Sequence, residues 1–197
     1  MAGSRQLRFR GAVVVLSDAT APMAFCAVGA GPALLDYLAP SLVVVRDVLR
    51  ELERNLRARP GLARVIDWLE QAEADRVHDL TSESALLVRD FLGNLQTAID
   101  HPDEHIGEVA TVFAADELAA AGRRPLVCMD DHQGKAMCRG RGLEHADTPA
   151  LLVEMVCAGA LPFAVGQRVW QQLFSDRRIW GDFRRRIQDE HASALQS

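Results

Sequence analysis

Short apolar runs bounded by polar residues recur along the chain, and between them apolar residues return every three or four positions. Ala12–Leu16 is the first run, stopped by Ser17 and Asp18. It is short, unbroken and rich in β-branched valine (Val13, Val14, Val15), which predicts a strand buried on both faces. Ser41–Val45, Pro125–Met129, and the shorter Arg76–Leu80 and Leu143–Ala146 predict further strands. Helical spacing fills the intervals. Ala19–Pro22 is a helix-start signal ahead of Met23–Val28, which Gly29 and Gly31 break; Pro32 opens a second short helix. Arg46–Arg59 predicts a helix ended by Pro60, with Val48, Leu49, Leu52 and Leu56 as its apolar face and Glu51 at the edge. Leu62–Ala74 reads as another amphipathic helix.

In Thr81–Asp100, Leu87, Val88, Phe91, Leu92, Leu95 and Ile99 share one face, with Thr81 and Ser82 as candidate caps. Pro102–Asp103 starts a helix running to about Ala121. It is apolar nearly all round, the pattern of a central, buried helix. Glu108 falls in its first two turns, where the helix dipole favours a carboxylate. Gln133–Arg141 is a short helix stopped by Gly142, and Thr148 caps a helix closed by Gly159. Val165–Ala194 carries Trp170, Phe174, Trp180 and Phe183 at helical spacings. The alternation of strands and helices predicts an α/β fold, a three-layer sandwich around a mainly parallel sheet. Residues 12–162 form the domain, 163–197 a helical C-terminal extension of it, and Met1–Arg10 a basic arm.

Composition narrows the function. The chain has 197 residues, 49% of them hydrophobic and 25% charged, which suits one soluble domain with a real core. No apolar run approaches the roughly 18 residues of a membrane span, and Ala12–Leu16 is too short for a signal-peptide core. A cytoplasmic protein is the expectation. Cys26, Cys128, Cys138 and Cys157 contain no C-x-x-C pair, so they are expected as reduced core thiols and not as a zinc site. A net charge of −5 excludes a wholly basic nucleic-acid clamp, leaving local contacts or contacts through metal ions. The tail arginines Arg177, Arg178, Arg184, Arg185 and Arg186 could guide RNA by charge, or form a solvated helix face.

Acids stand where strands end and on the predicted helices: Asp18, Glu51, Glu108 and the Asp130–Asp131 pair. In a parallel sheet, Asp18 and the pair lie at the same edge, the edge that carries chemistry in open α/β folds. Carboxylates crowded there repel one another, and a hard divalent cation relieves that cost through oxygen ligands. Taken singly, an Asp after a strand is more often a turn residue, and a Glu on a helix a solvated charge.

Order changes this. "VVVLSDATAPMAF", "SLVVVRDVLRELE", "HIGEVATVFAADELA" and "PLVCMDDHQGKAMCRGRGLEHADTPALLVEMVCAGALP" follow one another as in the PIN-domain family, the fold of many metal-dependent ribonucleases and VapC-type toxins. The Gly107–Glu108 pair in an alanine-rich helix resembles the branch with a Gly-Glu-Ala signature. The resemblance covers roughly Ala12 to Pro162. It implies a Mg²⁺- or Mn²⁺-dependent endoribonuclease with Asp18, Glu51, Glu108 and Asp130 or Asp131 as metal-binding acids, and Thr20 as the polar residue after the first acid. It also implies a toxin-like role, a small antitoxin partner and a homodimer. The chain departs from the branch at Lys135, where arginine is usual, and in the longer Thr81–His105 segment, which could be a clamp, a dimer face or a partner-binding helical pair. The alternative is a PIN-fold RNA- or protein-binding module without catalysis.

Other acid-based chemistries fit less well. An aspartyl phosphatase needs a second Asp where Thr20 stands, and a receiver domain needs its acidic pair after strand one. No G-x-S-x-G is present. His132 adjoins the acidic pair and is placed to hydrogen-bond a ligand carboxylate. Trp170 and Trp180 read as core or interface anchors.

Overall fold

Every residue of Val13–Leu16 (β1) is buried, because a strand pairs with it on each side and helices cover both faces. The computed structural model describes residues 8–9, 11–39, 41–94, 105–175 and 182–196. Five strands form one sheet in the order β3-β2-β1-β4-β5, every pair parallel: β2 is Leu42–Val45, β3 Val77–His78, β4 Pro125–Cys128 and β5 Glu144–Ala146. Val14 pairs with Leu42 on one side and Leu126 on the other. Strand periodicity then divides the valines. Val14 and Leu16 enter the larger core, with Phe25, Leu34, Leu62, Leu152 and Trp170. Val13 and Val15 face the opposite layer, with Val43 and Leu118. The architecture is a three-layer α/β sandwich.

Helices Thr20–Ala27 (α1), Gly31–Leu38 (α2), Ala63–Glu70 (α4) and Thr148–Cys157 (α9) pack into the larger core. So do Phe163–Ser175 (α10) and Phe183–Gln196 (α11): Phe183 stacks on Phe163 at 5.4 Å and tilts against Trp170 at 5.0 Å. The C-terminal extension therefore shares the domain's core, and Trp170 is a core anchor. Trp180, Arg177 and Arg178 lie outside the described residues. Ile106–Ala120 (α7) fills the other layer, with His132–Gly140 (α8) beside it. No disulfide joins the four cysteines; Cys128 and Cys138 are buried, Cys26 and Cys157 partly so. Among the described residues no helix is long and apolar enough to cross a membrane.

Several local expectations are corrected. The Leu62–Ala74 helix is broken: a 3₁₀ turn at Pro60–Leu62 precedes α4, and Ala72 leaves helical geometry before a short helix at Glu73–Arg76 (α5). Arg46–Asn55 (α3) stops before Arg59, because proline at 60 disfavours helical geometry in the preceding residue. Thr81 does cap Ser82–Gly93 (α6), accepting a hydrogen bond from Ser84 N at 3.2 Å. Only Val88 and Leu92 of its shared face are buried, whereas Leu86, Leu87 and Phe91 are exposed; Leu95 and Ile99 lie outside the described residues. His105 has φ +68°, so the central helix begins at Ile106 and not at Pro102; Pro102 and Asp103 themselves are not among the described residues. Asp147, not Thr148, caps α9, accepting from Ala150 N at 2.9 Å.

The basic arm is docked where it is described. Phe9 is in the core, and buried Glu154 of α9 accepts from Arg8 N (3.0 Å), Phe9 N (3.1 Å) and Tyr37 Oη (2.8 Å). Removing that acceptor strands three donors. Glu154→Ala is expected to cost about 2–3 kcal/mol, seen as a Tm lower by roughly 5–10 °C in thermal denaturation. Glu154→Gln, which keeps an acceptor oxygen, should lose less.

Candidate active site

The two central strands run side by side to their carboxyl ends, where Ser17 N donates to Cys128 O at 3.1 Å. The chain next presents Asp18 on one strand and Asp130–Asp131 on the other. Strand order reverses here, since β2 lies on one side of β1 and β4 on the other, and such a switch point opens a crevice. Thr20 N donates to Asp18 Oδ1 at 2.6 Å, an aspartate turn that fixes the carboxylate as α1 starts.

Glu51 arrives from α3. That helix buries Val48, Leu49 and Leu52 and carries Glu51 beside them, half-buried. Arg46 anchors its first turn, donating to both oxygens of Asp79 (2.9 and 2.7 Å) just after β3, and to Glu73. Glu108 arrives from the first turn of α7. The left-handed turn at His105 aims the chain there, and histidine tolerates that conformation better than a β-branched residue. Gly107 permits the approach. A Cβ at 107 would lie 3.1 Å from Ser17 O and 3.3 Å from Val48 Cγ2, with Glu51 Oε2 at 4.0 Å. Thr111 Oγ1 adds a hydrogen bond to Leu16 O at 3.3 Å, fastening the helix over β1.

Asp18, Glu51 and Glu108 thus line one cleft of about 770 Å³, together with Thr20, Arg50, Arg54 and His105. His105 Nδ1 lies 3.7 Å from Glu108 Oε2. Burial pushes the Glu51 carboxyl above its ordinary value, and the charges of Asp18 and Glu108 add to the rise. Burial likewise raises Glu108, and Asp18 and Asp131 push the same way while His105 opposes them. Asp130 is raised by burial and by Asp18, against hydrogen bonds from Thr148. The acids therefore share a field, with Asp18 at its centre.

The Asp130–Asp131 pair divides its work. Thr148 N and Oγ1 hold the two oxygens of Asp130 at 2.9 and 2.6 Å, so Thr148 braces an acid instead of capping a helix. Asp131 caps α8 through Gly134 N at 2.6 Å. Neither lines the cleft, although Asp130 senses Asp18 and Glu108 senses Asp131. Lys135 pairs with Asp147 at 3.3 Å, a structural contact at the start of α9. His132 is exposed in the first turn of α8.

Among the described residues, no three His, Cys, Asp or Glu side chains form a ready-made metal cage. The donor chemistry nevertheless suits a hard divalent cation, since the converging donors are carboxylate oxygens whose charges oppose one another. The Ser17 hydroxyl, next to Asp18, is buried with no hydrogen-bond partner among the described residues. Arg50, Arg54 and His105 were not singled out from sequence. The i, i+3 spacing from Glu51 could have flagged Arg54, and the i, i+4 spacing from Arg54 then Arg50; no local signal marks the turn at His105. In comparisons with known proteins, no family model, no curated protein and no solved structure matches the chain.

Ionising Glu51 or Glu108 costs more in the folded protein than in the unfolded chain. The folded state keeps protons that the unfolded chain releases as pH rises past the ordinary glutamate range, so stability falls across that window. Glu51→Gln or Glu108→Gln is therefore expected to raise Tm near neutral pH, with the gain vanishing below about pH 4, where glutamates in both states are protonated. Thermal denaturation across pH checks this, and a lower Tm at neutral pH would contradict it.

Proposed function

We propose that the protein is a Mg²⁺- or Mn²⁺-dependent endoribonuclease of PIN type. The observation that carries this reading is the meeting of Asp18, Glu51 and Glu108, distant in sequence, in one cleft at the switch point of a parallel sheet. Their order along the chain and their convergence in space both support this reading. Asp18, Glu51 and Glu108 would hold the ion, with the Asp130–Asp131 pair completing the negative field. When bound, a divalent cation supplies positive charge against a phosphodiester and acidifies water. The chain's own residues do the rest: Thr20 N fixes Asp18, Gly107 sets Glu108 against the strand, and Thr148 fixes Asp130. A cleft carboxylate would take the proton of the attacking water as its oxygen bonds to phosphorus; the P–O bond opposite would break, and the leaving oxygen would take a proton from solvent water.

A toxin-like role, a small antitoxin whose tail blocks the acidic cleft, and a homodimer belong to this reading through the resemblance alone. A second reading is a non-catalytic PIN-fold module that binds RNA or protein. That no three His, Cys, Asp or Glu side chains among the described residues form a metal cage favours it. The two readings differ in cleavage. Incubation of single-stranded and structured RNA with the protein and Mn²⁺ should give metal-dependent cuts, and Asp18→Asn should lower the rate by about a hundred-fold or more. Equal activity in the two proteins, or none in either, contradicts the nuclease reading.

A further inference from the structure

The cleft has a basic rim as well as an acidic floor. Arg50 and Arg54 project from consecutive turns of α3 and line the same cleft as Asp18, Glu51 and Glu108. They are its only Lys or Arg among the described residues, and Asp47 and Glu53 add negative charge to the wall. A cation on the floor offsets the inner carboxylates locally, but RNA brings a charge at every nucleotide. Phosphates on either side of the reacting one still meet an acidic wall unless a fixed positive charge receives them.

We infer that Arg50 and Arg54 form a phosphate clamp that holds the RNA backbone next to the scissile bond, and so act as substrate-positioning residues. This rests on the nuclease reading and goes beyond it, since neither arginine belongs to the acidic set. Three features support the assignment. Residues four apart on a helix stand about 5–6 Å apart at Cβ, a separation comparable to that of successive phosphates on an extended strand. Arginine's planar fork matches phosphate oxygens. Neither guanidinium is locked in a close buried ion pair: Arg50 makes an exposed i, i+3 pair with Asp47 at 3.2 Å, and Arg54 faces Glu51 across the cleft wall only as a charge that favours the ionised carboxylate. Arg46, on the same helix, differs in being locked to Asp79 and Glu73, and it does not line the cleft.

The test is steady-state cleavage of a short single-stranded RNA in Mn²⁺, by wild-type protein, R50A/R54A and R50K/R54K, over a range of salt. R50A/R54A should raise KM about ten-fold with little change in kcat. The slope of log kcat/KM against log salt should become shallower by about 1.4, two phosphates at about 0.7 each. R50K/R54K keeps the charge and should recover most of the salt slope, which a merely structural role of the arginines would not produce. Mn²⁺ affinity of R50A/R54A, measured by calorimetry, should not fall, because the Arg54 charge acts on Glu51 and opposes a cation there. If wild-type protein cleaves and R50A/R54A keeps its KM and salt slope, the clamp is overturned while the nuclease reading stands. If wild-type protein does not cleave, both fall.

Discussion

Burial of carboxylates side by side at one sheet edge, with their mutual repulsion added to it, is the constraint that the cleft depends on. Backbone geometry forces Asp18, Glu51 and Glu108 into one cleft, and burial together with their own charges makes ionisation of the glutamates unfavourable. A protein selected only for stability would separate such groups or neutralise them. Stored electrostatic cost at one place, surrounded by a scaffold that holds it there, is a physical sign of a site.

The scaffold does hold it. Two central strands deliver acids to the same edge because the sheet is parallel throughout, and the reversal of strand order opens space between their connections. α3 is fixed at its start by the forked Arg46–Asp79 pair and along its length by Val48, Leu49 and Leu52. α7 comes close enough because residue 107 has no side chain, and it is held by its buried alanines and by Thr111. Glu51 and Glu108 therefore cannot retreat far without unpacking a helix. Arg50 and Arg54 stand on the solvent side of that arrangement, exposed at the cleft wall, and the Arg54 charge partly offsets that of Glu51.

Much of this was legible in the chain. The unbroken apolar runs at Ala12–Leu16 and Ser41–Val45 read as buried parallel strands because their residues face helices on both sides. The all-round apolar pattern of residues 106–118 read as a central helix for the same reason, whereas the five acids, each ordinary alone, were singled out by their order along the chain and the resemblance it carries. What did not read was set by single tertiary contacts. Leu87 and Phe91 fit a helical stripe, yet the described neighbours of α6 cover only Val88 and Leu92. Thr148 has the side chain of a cap but spends it on Asp130, while Asp147 takes the cap. The left-handed turn at His105 has no composition signal, since glycine or asparagine would be the usual choice.

The central claim is that the cleft's carboxylates are a divalent-cation site, and calorimetric titration with Mn²⁺ tests it most directly. Wild-type protein should bind saturably. In mildly acid solution the measured heat should depend on the buffer, because binding expels protons from the glutamates. Glu108→Gln should weaken binding by about ten-fold or more. Absence of saturable binding to wild-type protein, or the same affinity in Glu108→Gln, would contradict the account.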